Sequence, residues 1–327
     1  MAKLRLTFAA GDYEIVKPIK EGLVDVDGIE LVMLTGLGSR ERHWRMARRA
    51  EFDLCEVNVG AYFMARDQGE PLSALPVFLH RRFRHGFIFV NVNAGIAEPK
   101  DLIGKRVGGT NFQPAGNLWM RGILEEHYGV PHKSIAWVVD REEDVQFKKP
   151  DDLRIEMIAK GKRLDDMLAE GELPAMLSPD IPRRFLQGDK RIVRLFPNYK
   201  QVEIDYFRRT GIFPIMHVTA IKREIVEKYP WVPTNLVKAF DKAKAMAYRR
   251  LANPRVVPLA WVRTAVEEQE EILGPDPWAY GLGEANRKTL QTILRYVRMQ
   301  GLISRDFTLD ELFEQTDLGD AGGDEGI

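Results

Sequence analysis

The chain has 327 residues, and at roughly 150 residues per domain that length predicts two domains with a sizeable core. Hydrophobic residues make up 45% and charged residues 29%, the balance of a folded globular protein and not of a disordered one. Lys plus Arg and Asp plus Glu number 48 each, so the summed field draws the chain neither to nucleic acid nor to an acidic membrane, and any anion site must be local. A single cysteine, Cys55, excludes an intramolecular disulfide and a two-cysteine zinc or redox site. It is expected as a small buried side chain at the end of a strand rather than a reactive thiol. The first residues run into Gly11-Asp12-Tyr13-Glu14 without room for an apolar signal core. No stretch approaches the ~20 consecutive apolar residues of a membrane span, so the expected compartment is the cytoplasm.

The first sixty residues read as strand, helix, strand, helix, strand. Strands are expected over 4–8, 29–34 and 52–57, with helices over 15–23 and 40–51. That alternation predicts a parallel α/β sheet. An apolar pair, 75–79 and 86–90, flanks His80-Arg81-Arg82-Phe83-Arg84-His85. A second α/β unit begins after Asn93, with a short strand before Gly108 and a helix over 117–128 stopped by Gly129. It continues with a strand over 135–139, a charged loop over 140–152, a helix-to-strand passage over 167–176 and a strand over 192–196. The last third is helical: Leu236, Phe240, Ala243, Ala247 and Leu251 share one face of a helix, as do Leu290, Ile293, Leu294 and Val297 on a second. Thr308 and Glu311 fit a capping box, and the Gly- and Asp-rich tail over 316–327 is expected to fray. The expected layout is bilobal, with 1–90 and 210–327 as lobe I and 91–209 as lobe II. A ligand would lie in the cleft, outside the carboxyl ends of the strands.

Candidate site residues follow from that rule. Asp12 and Tyr13 follow the first strand, and Glu56 and Asn58 end the third. Arg82, Arg84 and His85 could grip a dianion through paired guanidinium hydrogen bonds, or form only a solvated basic turn. Gln113 and Asn117 open the helix that carries Arg121, where free amides attract anions; an ordinary capped helix start is the plain alternative. His217 stands in an apolar strand expected over 212–218, where burial and a nearby carboxylate would pull its charge in opposite directions. His43, His127 and His132 have no evident role, and the basic helix over 40–49 is expected to be a solvated face. No spacing of a phosphate loop, a dinucleotide fold, a serine elbow or a zinc motif occurs. No cofactor is expected, and a divalent metal assembled across distant segments stays open.

Phe83-Arg84-His85, Trp119-Met120-Arg121-Gly122, the run from Asp166 to Leu173, the run from Arg208 to His217 and Asp276-Pro277-Trp278-Ala279-Tyr280-Gly281-Leu282 together resemble the 4,5-dihydroxyphthalate decarboxylases, in collinear order over nearly the whole chain. Gly86 departs from the pattern, where Ser is expected. The resemblance implies a type 2 periplasmic-binding-protein-like fold adapted to a cytoplasmic enzyme that converts 4,5-dihydroxyphthalate to 3,4-dihydroxybenzoate and carbon dioxide. His217 or His85 would then donate the proton, Asp12 or Glu56 would orient the imidazole or accept a phenolic proton, and Arg82, Arg84 and Arg121 would hold the carboxylates, with Asn117, Gln113, Tyr13 and Asn58 around the ligand. The expected partner is this small aromatic dicarboxylate, with self-association through a lobe face left open. The competing reading is a non-catalytic solute-binding protein for an aromatic or sulfonated acid, and a thiamine-pyrimidine synthase relative ranks behind both.

Overall fold

The computed structural model describes residues 2–316, so the tail expected to fray lies outside the described residues from 317 onward. Two sheets organise the chain. The first holds β1 (Leu4–Ala9), β2 (Ile29–Leu34), β3 (Leu54–Asn58), β4 (Leu72–Leu75) and the late strand β11 (His217–Lys222), in the order β2-β1-β3-β11-β4. The second holds β5 (Ile88–Asn91), β6 (Arg106–Gly109), β7 (Ala136–Val139), β8 (Arg154–Met157), β9 (Ala175–Leu177) and β10 (Ile192–Arg194), in the order β10-β5-β9-β6-β7-β8. The chain crosses between the sheets after β4 and returns before β11.

Both sheets are mixed rather than purely parallel. Helical crossovers set β1 parallel to β2 and β3, as the alternating pattern predicts. β11 instead enters from the other sheet and runs antiparallel to β3 and β4. The ladder of β11 also begins later than the apolar run suggests. Pro214 has no N–H to give a ladder, and 212–216 is irregular apart from an isolated bridge between Arg81 and Ile215. His217 therefore opens the strand, opposite Asn58 at the carboxyl end of β3. β8 was not apparent from its sequence, because it is a largely exposed edge strand without an apolar alternation.

The helix Val232–Leu251 lays Leu236, Phe240, Ala243 and Ala247 on the first sheet, with Phe240 edge-on to Phe8 at 5.3 Å. The helix Glu284–Met299 reaches across to the helix Ala115–Tyr128, which packs in the second lobe. Tyr296 stands edge-on to Trp119 at 5.6 Å and donates to Glu126 at 2.5 Å. One apolar cluster consequently runs from Cys55 and Val57 of the first sheet to Val107 and Trp137 of the second. The Thr308–Glu311 capping box forms as the spacing predicts. Cys55 is fully buried, and burial pushes its thiol up.

Gly122 is the point of closest approach between those two helices, because a Cβ there would overlap the Tyr296 ring. Gly122→Ala is expected to destabilise the chain by about 1–3 kcal/mol through overpacking. Urea unfolding reads this, and a variant as stable as the parent would show that the contact is slack.

Candidate active site

Every residue of β3 is buried, so a carboxylate on it must be paired to remain charged. Glu56 is 0% exposed and collects four donors. Its Oε2 accepts from Arg42 Nη2 at 2.6 Å and from the Gly11 amide at 2.8 Å, while Oε1 faces Tyr13 Oη at 2.6 Å and His217 Nδ1 at 2.5 Å. Burial alone would push the carboxyl up, but the charge and hydrogen bond of His217, with Arg42, outweigh it and hold Glu56 well below the usual range. The register explains the meeting. His217 pairs with Asn58, which places its side chain diagonally beside that of Glu56 on the same face of the sheet.

Arg42 and His43 come from the helix Ser39–Arg49, and here the expected solvated face needs correction. Arg45 and Arg49 stay on the outside, but the face carrying Met46 and Ala47 packs inward and takes Arg42 and His43 with it. His43 stands edge-on to His217 with ring centroids 4.7 Å apart, and His80 does the same at 4.7 Å. Burial, and then the neighbouring His217, pushes His43 well down, and burial, His217, Arg84 and Arg82 bring His80 to about 2. Both flanking rings are neutral. With the ionised Glu56 accepting at Nδ1, Nε2 is the nitrogen of His217 left to exchange a proton with a ligand.

Arg84 lies next to this group. Its guanidinium donates to the Met216 sulfur through Nε at 3.1 Å and Nη2 at 2.8 Å, and to the Pro179 carbonyl at 2.8 Å. None of these acceptors is charged, although the residue is only 3% exposed. Burial and then Arg82 bring its pKa down to about 9. The guanidinium also lies against Gly116, where a Cβ would be 2.9 Å from Cζ. A buried cation thus adjoins the first turn of the helix Ala115–Tyr128, whose free amides and dipole are positive as well. Trp119 of that helix donates to the Ile215 carbonyl at 2.8 Å, fixing it to the segment that leads into His217.

Other residues expected at the site take different places. His85 is not brought to Glu56: it is buried among Tyr128, Phe196 and Tyr206, with both ring nitrogens unpartnered among the described residues. Asp12 turns to the surface, where Lys20 donates to it at 2.8 Å. Arg121 is stacked on Phe112 at 3.6 Å and donates to Gln300 at 2.6 Å, so it braces the lobe interior. Gln113 spends both ends of its amide on the Val145 backbone. Asn58 caps the helix Val59–Asp67 by accepting from Gly60 and Ala61. Asn117 donates to the Asn111 carbonyl at 3.0 Å while its buried Oδ1 has no partner among the described residues. Arg82 is half-exposed, 3.9 Å from Asp180. Gly86 is explained by packing, because a Cβ there would come within 2.6 Å of the Tyr199 ring. Among the described residues no group of three or more His, Cys, Asp and Glu is arranged to hold a metal ion, and no helix is long and apolar enough to cross a membrane.

The chain is similar to known proteins. The family model described as NMT1/THI5 like matches residues 25–149. A 4,5-dihydroxyphthalate decarboxylase of Comamonas testosteroni is 33% identical, with 97% of this chain and 98% of that protein covered. One of Pseudomonas putida is 33% identical over 64% of this chain and 83% of its own. Among solved structures, the periplasmic aliphatic sulphonate binding protein SsuA of Escherichia coli matches with a TM-score of 0.58 at 12% identity, covering 100% of this chain and 97% of its own. A variant of DSZB in complex with biphenyl-2-sulfinic acid matches at 0.55 and 15% identity, covering 96% and 97%. These structural matches show the fold: two α/β lobes of the SsuA type with a helical C-terminal region.

The Glu56 carboxyl titrates well below its ordinary 4.5 when folded. The stability it confers is therefore present above the unfolded value and is lost as pH falls through the folded one. Glu56→Gln should remove that acid-side dependence and, by leaving Arg42 buried without its counter-charge, cost about 3–5 kcal/mol at neutral pH. Urea unfolding from pH 7 to pH 3 tests both, and identical acid-side slopes for parent and variant would contradict the assignment.

Proposed function

The chain belongs to the 4,5-dihydroxyphthalate decarboxylase family, and from that premise we propose that it decarboxylates a dihydroxylated aromatic dicarboxylate, 4,5-dihydroxyphthalate foremost, without oxidation. The observation that carries this reading is the pairing of an imidazole oriented by a buried carboxylate with a buried guanidinium that contacts the adjacent residue, Met216. Arg84 and the first turn of the helix Ala115–Tyr128 supply positive potential and call for an anion between them. Arg82, at the more open edge, is the second cation available to the carboxylates.

His217 is the general acid in this reading. Each carboxylate of the substrate is para to a ring hydroxyl, whose electron release makes the carboxylate-bearing carbon basic enough to accept a proton. Protonated at both nitrogens, His217 gives the Nε2 proton to that carbon. The carbon–carboxylate bond then breaks, its electron pair restores the aromatic ring, and carbon dioxide leaves. Glu56 stabilises the imidazolium before transfer and keeps the ring in one orientation, while Arg42 and Tyr13 hold Glu56 itself. Uniform grip on both carboxylates would only tighten the ground state, so Arg84 is assigned to the carboxylate that stays.

Incubation of the purified protein with 4,5-dihydroxyphthalate should yield 3,4-dihydroxybenzoate by chromatography. His217→Gln should abolish turnover and leave ligand affinity within about threefold, a difference under 1 kcal/mol. A thermal shift by the ligand with no product from the wild-type protein, before and after divalent metal is supplied, would overturn the catalytic reading in favour of a binding protein. Arg84→Met should weaken binding by about 10–100-fold, the loss of a charge-assisted contact of about 1.5–3 kcal/mol. Unchanged affinity in that variant would remove Arg84 from the carboxylate site.

A further inference from the structure

Three histidines meet beside Glu56, and the chemistry above uses one. His43 and His80 both stand edge-on to His217, but they differ in what they face. His43 is enclosed beneath its helix, at 6% exposure. His80 is only partly buried, at the point where the chain leaves the first sheet, with Tyr13 on another side at 6.3 Å. Its carbonyl accepts the amides of Met216 at 2.9 Å and His217 at 3.4 Å, which fixes its position relative to the acid. Two and four residues further on stand Arg82 and Arg84. His80 is thus tied by its backbone to the acid and by chain continuity to the cations, and its buried Nδ1 has no partner among the described residues.

Kept neutral by burial and by the surrounding positive charges, this imidazole offers one N–H and one lone pair. That set suits a hydroxyl, itself both donor and acceptor, better than a second carboxylate. Resting on the decarboxylase reading, we propose that His80 determines specificity by accepting a hydrogen bond from a ring hydroxyl of the substrate, selecting hydroxylated over unsubstituted aromatic dicarboxylates. Two imidazoles with centroids 4.7 Å apart can address two different positions of one benzene ring, the carbon that is protonated and an oxygen that feeds it electrons. The O–H bond stays intact. Its polarisation raises electron density at the para carbon, so the contact also favours proton arrival there.

The test is calorimetric titration of 4,5-dihydroxyphthalate and of phthalate, which lacks both hydroxyls, into His217→Gln protein, where no turnover consumes the ligand. The same two titrations follow for His217→Gln carrying His80→Phe or His80→Asn. The parent should prefer the hydroxylated ligand, and His80→Phe should cut that preference by about 5–10-fold, one net hydrogen bond of about 1–1.4 kcal/mol, while phthalate affinity stays within twofold. His80→Asn, which keeps an acceptor, should retain part of the preference, and it serves as the readout if the Phe variant does not fold. An unchanged preference, or an equal loss for both ligands, overturns the role of His80 alone. Failure of the parent to bind either ligand overturns the dicarboxylate reading, and the role of His80 with it.

Discussion

A carboxylate with no access to water must be surrounded by donors or give up its charge. Glu56 meets that constraint by drawing on three separate places in the chain: the turn after β1 through Gly11 and Tyr13, the helix Ser39–Arg49 through Arg42, and β11 through His217. Each contact solves a local problem of satisfaction, and together they fix the His217 imidazole against a buried carboxylate. The strand order is part of the solution. Because β11 returns antiparallel beside β3, the first residue of one strand meets the last residues of the other, and the imidazole arrives at the end of the ladder instead of in the middle of the sheet.

The two-lobed α/β plan was legible because alternation and helical spacing report burial directly. Glu56 and His217 were legible as a charged group ending an apolar strand and an imidazole within an apolar run. Their partnership was not, since it depends on the register of two strands about 160 residues apart. Arg42 and His43 were hidden for another reason. In a helix reading Arg-Glu-Arg-His-Trp-Arg-Met-Ala-Arg-Arg, composition suggests solvent all round, and only the placement of Met46 and Ala47 reveals which side turns inward. Arg42 stands one turn before Met46, so the face that buries Met46 takes Arg42 inward with it.

Neighbouring residues in one basic cluster met opposite fates. Arg81 donates to the Ala279 carbonyl at 3.0 Å and to Asn286 at 2.5 Å, and so ties the segment Asp276 to Leu282 and the helix after it to the segment that follows β4. Arg84 finds only sulfur and a carbonyl, and His85 an aromatic pocket. Sequence proximity suggested a single anion-binding turn, but the irregular segment that crosses between the sheets sends its side chains to different surroundings. Arg121 and Gln113 illustrate a related limit. Polar residues at a helix start suit a ligand, yet nearby backbone groups must be satisfied too: Arg121 serves the Phe112 carbonyl and Gln113 the Val145 backbone.

What separates a cleft that only captures a ligand from one that transforms it is how firmly its two halves hold their reacting groups. Here Arg84 touches Met216 while the next residue, His217, is bonded to Glu56, so the anchor and the acid of the proposed reaction would be set by one short segment. The helix Glu284–Met299, with Gln300 just past its end, adds a second tie, holding Tyr296 against Trp119 and Gln300 against Arg121. Such preorganisation lowers the cost of bringing acid and substrate together. In the proposed reaction, a mutation in a remote helix contact, Gly122 included, would act on turnover by displacing Trp119, whose indole holds the carbonyl two residues before His217.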